Sequence, residues 1–176
     1  MRKSILILAL VTILGCKNQE EINVTVPYEE SVMLLGKANK DGLMKEPFNE
    51  WFIPEFDSYQ LNDSLVEQLK PLLKDTEITV FMGTWCSDSQ REIPHFYKIL
   101  ETADFDFNNF ALVAVNDEKT TPQEFEKDLN ITNVPTFIFY RNGKELNRIV
   151  EFPIESLEED MMSILKGEDY QHPYSE

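Results

Sequence analysis

Leu65, Leu69, Leu72 and Leu73 recur at helical spacing behind Asn62, whose side chain suits a helix cap, and predict a helix that Pro71 kinks or ends early. Residues 77–83, EITVFMG, form a short β-branched and apolar run that reads as a buried strand. Ile93, Phe96, Tyr97 and Leu100 then fall at i, i+3, i+4 and i+7, so a helix follows Cys86. Residues 110–115, FALVAV, give a second continuous apolar strand. Thr121-Pro122-Gln123-Glu124 combines a capping box with proline at the first helical position and predicts a helix start. TFIFY and ELNRIV flank Arg141-Asn142-Gly143-Lys144, a two-residue hairpin signal. Ser156 and Glu159 make another capping box; Leu157, Met161, Ile164 and Leu165 supply an apolar face, and Gly167 ends the helix.

The resulting order is α-β-α-β-α-β-β-α. Its compact solution is an α/β fold with a mixed central sheet and helices on both faces. In such folds a strand that ends in a tight turn into a helix is where the site sits, and Cys86 occupies that point.

The first residues obey different rules. Arg2 and Lys3 precede an apolar run, Ile5 to Leu14, which has signal-peptide length and is short for a membrane span. Ile13-Leu14-Gly15-Cys16 resembles a bacterial lipobox, which implies cleavage before Cys16 and lipidation of its sulfur and amine. Several acyl chains hold a protein on a membrane where one holds it marginally. The expected organisation is a lipoprotein signal peptide at 1–15, a tether at 16–30 and an N-terminal extension at 31–60. A domain at 61–168 and a frayed tail at 169–176 complete it. Gln19-Glu20-Glu21 fits a solvated linker, and also resembles the sorting runs of some bacterial lipoproteins. Phe48, Trp51, Phe52, Phe56 and Tyr59 give the extension an aromatic cluster, suited to packing it against the sheet or to forming part of a substrate groove.

A formal net charge of -16 leaves no basic stripe for phosphate, so nucleic acid is excluded as a partner. Loss of Arg2 and Lys3 with the leader makes the balance more acidic still, so attachment to anionic lipid falls to the acyl chains rather than to charge. The only two cysteines are Cys16 and Cys86, so the domain has no disulfide framework of its own.

Chemistry therefore concentrates at TWCSDSQREIP, residues 84–94. A cysteine at a helix N-terminus faces unpaired backbone N–H groups and the positive end of the dipole, which favour the nucleophilic thiolate. Ser89 stands three residues on, one turn up the same face, where its hydroxyl suits a hydrogen bond to the sulfur. Asp88 acts against the thiolate and Arg91 compensates. His95 reads as an ordinary helix histidine.

These residues carry a resemblance to the thioredoxin superfamily, closer to thioredoxin and its membrane-tethered relatives than to glutaredoxin. The family's Trp-Cys pair is matched by Trp85 and Cys86, and its helix proline by Pro94. Its cis-proline segment is matched by Val134-Pro135-Thr136, and the match covers about 61–167. The resemblance implies a thioredoxin-like fold with Pro135 cis beside Cys86, and a substrate platform made of Trp85, Val134, Pro135 and Thr136. Two positions depart from the pattern. Ser89 replaces the resolving cysteine, and Val80 stands where thioredoxin has a buried aspartate. A lone cysteine attacks a disulfide but needs an outside thiol to release the product.

The expected function is thus monothiol thiol–disulfide exchange, with Cys86 as nucleophile, Ser89 as its hydrogen-bond donor, and protein thiols or disulfides of the bacterial cell envelope as partners. An external thiol resolves the adduct, and no cofactor or metal is called for. The alternative is a non-catalytic thioredoxin-fold module that binds extended polypeptides in the cis-proline groove.

Overall fold

The computed structural model describes residues 21–175. The leader, Cys16, Gln19 and Glu20 lie outside the described residues. Among the described residues, no helix is long and apolar enough to cross a membrane.

Five strands form the central sheet: β3 (Gly36–Ala38), β4 (Glu77–Met82), β5 (Phe110–Ala114), β6 (Thr136–Arg141) and β7 (Lys144–Val150), in the order β3-β5-β4-β6-β7. β4 and β5 are parallel, and every other neighbouring pair is antiparallel. The sheet is mixed, as the element order predicts. Asn142 and Gly143 both take left-handed φ, 53° and 71°, which is the twist a two-residue hairpin between β6 and β7 requires.

The helices start and stop where their caps place them. Asn62 accepts the Leu65 N–H and opens α3 (Asp63–Leu73), which continues past Pro71 by two residues. Ser156 accepts the Glu159 N–H and opens α5 (Leu157–Lys166), and Gly167 closes it in the left-handed conformation. Between them α4 (Ser87–Thr102) buries Ile93, Phe96, Tyr97 and Leu100, the stripe read from the sequence.

The sheet separates two cores. Ile78, Val80, Met82, Phe137 and Phe139 gather with buried residues of α3, α4 and α5 in the larger one. Phe81, Val113 and Ile138, pointing the other way, pack with Phe125, Leu129 and Ile131 in the smaller. The segment that covers this second face departs from expectation. No helix starts at Thr121; residues 121–131 run through tight turns. Thr121 does use its capping chemistry, since its Oγ1 accepts the Phe125 N–H at 3.0 Å and donates to Glu126 Oε2 at 2.7 Å. Left-handed φ values at Glu124 (56°) and Asp128 (62°) then stop each turn from propagating.

The N-terminal segment is built into the body of the molecule. Where a tether was expected to run to residue 30, β1 (Thr25–Tyr28) and β2 (Ser31–Leu34) form an antiparallel hairpin, and β3 follows into the sheet. After the short α1 (Lys40–Leu43), α2 (Asn49–Ser58) packs on α4. Phe48 and Phe52 are buried, and Trp51, Phe56 and Tyr59 close around the same core. The tail is tied down rather than frayed: the Tyr170 hydroxyl donates to buried Asp160 at 2.8 Å, and Asn147 donates to the Tyr170 carbonyl.

Candidate active site

The register between β4 and β6 assembles the site. Phe81 faces Thr136 across the antiparallel ladder, so the turn that leaves β4 meets the loop that enters β6. Cys86 ends the first segment as the N-cap of α4, and its carbonyl accepts the Gln90 N–H. Its own backbone is extended (φ -92°, ψ 125°), and its side chain makes no capping bond. The thiol is left half-buried and turned to the loop, where it donates to the Val134 carbonyl at 3.2 Å.

The Val134–Pro135 peptide bond is cis. Two contacts brace this loop: the Thr136 hydroxyl donates to the Asn133 carbonyl at 2.7 Å, and the Glu151 N–H donates to the Pro135 carbonyl at 2.7 Å. Trp85 flanks the thiol from the other segment. Its Nε1 donates to the Val115 carbonyl at 3.0 Å, and Lys119 Nζ lies 5.7 Å from its ring centroid. The indole rests on Gly83, where a Cβ would come within 2.5 Å of the ring; only glycine admits that approach.

Ser89 has a different partner from the one expected. It is fully buried, and its Oγ accepts the Gly83 N–H at 3.2 Å. The thiol bonds to Val134 instead, and Ser89 holds the turn below the sulfur. Asp88 pairs with Arg91 Nη2 at 2.7 Å, and Arg91 also reaches the buried Glu92. Pro94 is buried within α4. His95 stacks on Tyr59 at 4.2 Å and meets Glu55 at 3.1 Å, on a part of α4 that faces α2.

Sequence reasoning missed Thr84. Its Oγ1 accepts the Leu34 N–H at 3.2 Å, and its carbonyl accepts Gln90 Nε2 at 2.8 Å. Nothing in a lone threonine announces a contact with a hairpin fifty residues away. No group of three or more His, Cys, Asp and Glu that could hold a metal occurs among the described residues.

A thioredoxin family model matches residues 52–166, which runs from within α2 to the end of α5. The chain belongs to the thioredoxin family. A thioredoxin from Malassezia sympodialis is 30% identical over 89 residues, spanning 49% of this chain and 81% of that protein. Among solved structures, a Pseudomonas aeruginosa protein of unknown function aligns at 16% identity over 68% of this chain and 74% of that one, with a TM-score of 0.47. Oxidized mitochondrial thioredoxin 3 from Saccharomyces cerevisiae aligns at 21% identity over 55% and 86% of the two chains, with a TM-score of 0.33. Membership gives the chain a thiol–disulfide redox or thioredoxin-fold role. Cys86 is the one cysteine among the described residues, so the site offers a single thiol beside a cis-proline loop.

Proposed function

We propose that this chain is a lipid-anchored protein of the bacterial cell envelope that exchanges disulfides through Cys86 alone. The observation that carries the reading is the half-buried Cys86 thiol at the N-terminus of α4, 3.2 Å from the carbonyl that precedes cis-Pro135. Backbone groups of that loop suit an extended substrate segment, added as a short strand.

The Cys86 thiolate attacks one sulfur of a substrate disulfide. The substrate S–S bond breaks, a Cys86–substrate disulfide forms, and the second substrate sulfur leaves as a thiolate. With Ser89 at the position where a resolving thiol would stand, an external thiolate completes the cycle. It attacks the substrate sulfur of the adduct, takes the substrate into a new disulfide and returns Cys86 as thiolate. Trp85 bounds the site on one side, and Val134, Pro135 and Thr136 form the platform on the other. Attachment through Cys16, with facing partners among envelope thiols and disulfides, is supported by the lipobox-like ILGC and the apolar run before it.

The test is a reaction of the full chain, in detergent, with 2,2′-dithiodipyridine. One pyridine-2-thione per Cys86 is expected, lost in Cys86→Ala, and the adduct should persist until an outside thiol is added. Equal release from the Cys86→Ala chain would favour the binding module instead.

A further inference from the structure

The β1–β2 hairpin leans against the turn that carries Cys86, pinned by the Leu34–Thr84 bond of 3.2 Å. Between the hairpin, the start of α2 and that turn lies a groove of about 360 Å³. Trp51 and Trp85 are among its walls, and Glu29, Glu30 and Glu50 line it with exposed carboxylates. None of the three is paired with a cation among the described residues.

The hairpin also presents a strand edge to this groove. Leu35 N–H bonds to the Val24 carbonyl, which sets the alternation so that Val26–Met33 and Tyr28–Ser31 are the hydrogen-bonded pairs. Val32 and Leu34 therefore direct their backbone groups off the outer edge of β2. Leu34's N–H is taken by Thr84; Val32, itself exposed, lines the groove. The opposite edge, on β1, carries Pro27, which has no N–H to offer.

We infer that this groove takes an extended, basic segment of the disulfide-bearing partner, laid along β2 with Lys or Arg side chains among Glu29, Glu30 and Glu50. The inference rests on the exchange reading above and names the class of substrate that site prefers. Charge selects the occupant: a formal net charge of -16 repels acidic segments, and three exposed carboxylates in a groove lined by two tryptophans suit cationic side chains with apolar stems. Trp85 belongs both to the groove and to the turn of Cys86, so the groove adjoins the turn that carries the thiol.

Two peptides of equal length test this, each carrying one cysteine as a mixed disulfide with 2-thiopyridine, one flanked by three lysines and one by three glutamates. Cys86 thiolate attacks the peptide sulfur, the peptide–pyridyl S–S bond breaks, and pyridine-2-thione leaves and is read by absorbance. At low salt the lysine peptide should react about ten-fold faster, the effect of a few exposed ion pairs acting together. In Glu29→Gln/Glu30→Gln/Glu50→Gln that ratio should fall to about two-fold or less. It should survive in Asp75→Asn/Glu77→Gln/Glu168→Gln, which removes the same charge outside the groove. A damaged fold slows both peptides together, so the ratio reports the groove. An equal drop in both triple variants, or none in the first, overturns the proposal. If neither peptide reacts, the exchange reading fails and a cysteine-free, fluorescein-labelled lysine peptide decides the groove by anisotropy. Binding that the first triple variant weakens and the second does not supports the groove; absent or unaltered binding overturns it.

Discussion

The Cys86 sulfur lies 3.2 Å from the Val134 carbonyl oxygen, although the two residues stand 48 positions apart in the chain. This contact joins the proposed nucleophile to the loop proposed to receive substrate. It exists because β4 and β6 pair with Phe81 opposite Thr136, which brings the ends of two distant segments together.

Ser89→Cys should give the site its own resolving thiol. The position is one turn from Cys86 on α4 and differs from the wild type by one atom. Mixed disulfides that persist in the wild-type chain should be released without added thiol, with Cys86 and Cys at 89 joined, as mass spectrometry of alkylated samples would show. Persistence of the adduct would mean that the buried position does not reach the sulfur.

Gly83→Ala should strain the site from below. The added Cβ falls 2.5 Å from the Trp85 ring, and the indole is fixed by its bond to the Val115 carbonyl. Overpacking of this kind costs about 1–3 kcal/mol. A lower urea midpoint and a shifted tryptophan emission are the expected readouts; an unaltered emission would show that the ring yields freely.

Stability should decline in alkali. Burial, and then the hydrogen bond and charge of Glu158, raise the ionisation of Tyr59 well above its ordinary value of 10.0. Tyr170 is raised in the same way by burial and by Asp160. An acid whose folded pKa is raised contributes stability in full below its unfolded value, and loses it as pH climbs toward the folded one. The urea midpoint should therefore fall above about pH 10, and less steeply in Tyr59→Phe. A flat profile would contradict the burial of these hydroxyls.

Cys16→Ser should move the protein from the membrane fraction to the soluble one. Partition after alkaline carbonate washing checks it, and continued membrane retention would remove the lipid anchor from the account.

Much of this molecule was legible in its pattern. The stripes behind Asn62, Cys86 and Ser156, the apolar runs of β4 and β5 and the Asn142-Gly143 turn all appear where periodicity and capping put them. Local signals sufficed because each of these elements is fixed by neighbours a few residues away. At Thr121 the same local signal misled: its hydroxyl caps a turn, but the left-handed residues Glu124 and Asp128 break the helix that should follow. The position of Ser89 was readable and its partner was not, since Gly83 lies across the turn from it. The groove beside Trp85 depends on a hairpin, on α2 and on the Thr84 turn meeting in space, and no spacing within the chain reports that. The aromatic run from Phe48 to Tyr59 was the one visible sign that the N-terminal segment had something to cover.

The most direct measurement is capture of substrate by Cys86 in place. The full chain, expressed in a bacterial envelope and quenched with acid and alkylating agent, should carry mixed disulfides that reduction releases and that Cys86→Ala abolishes. Adducts that survive in Cys86→Ala, or a wild-type chain whose Cys86 is always recovered as free thiol, would contradict exchange through this residue.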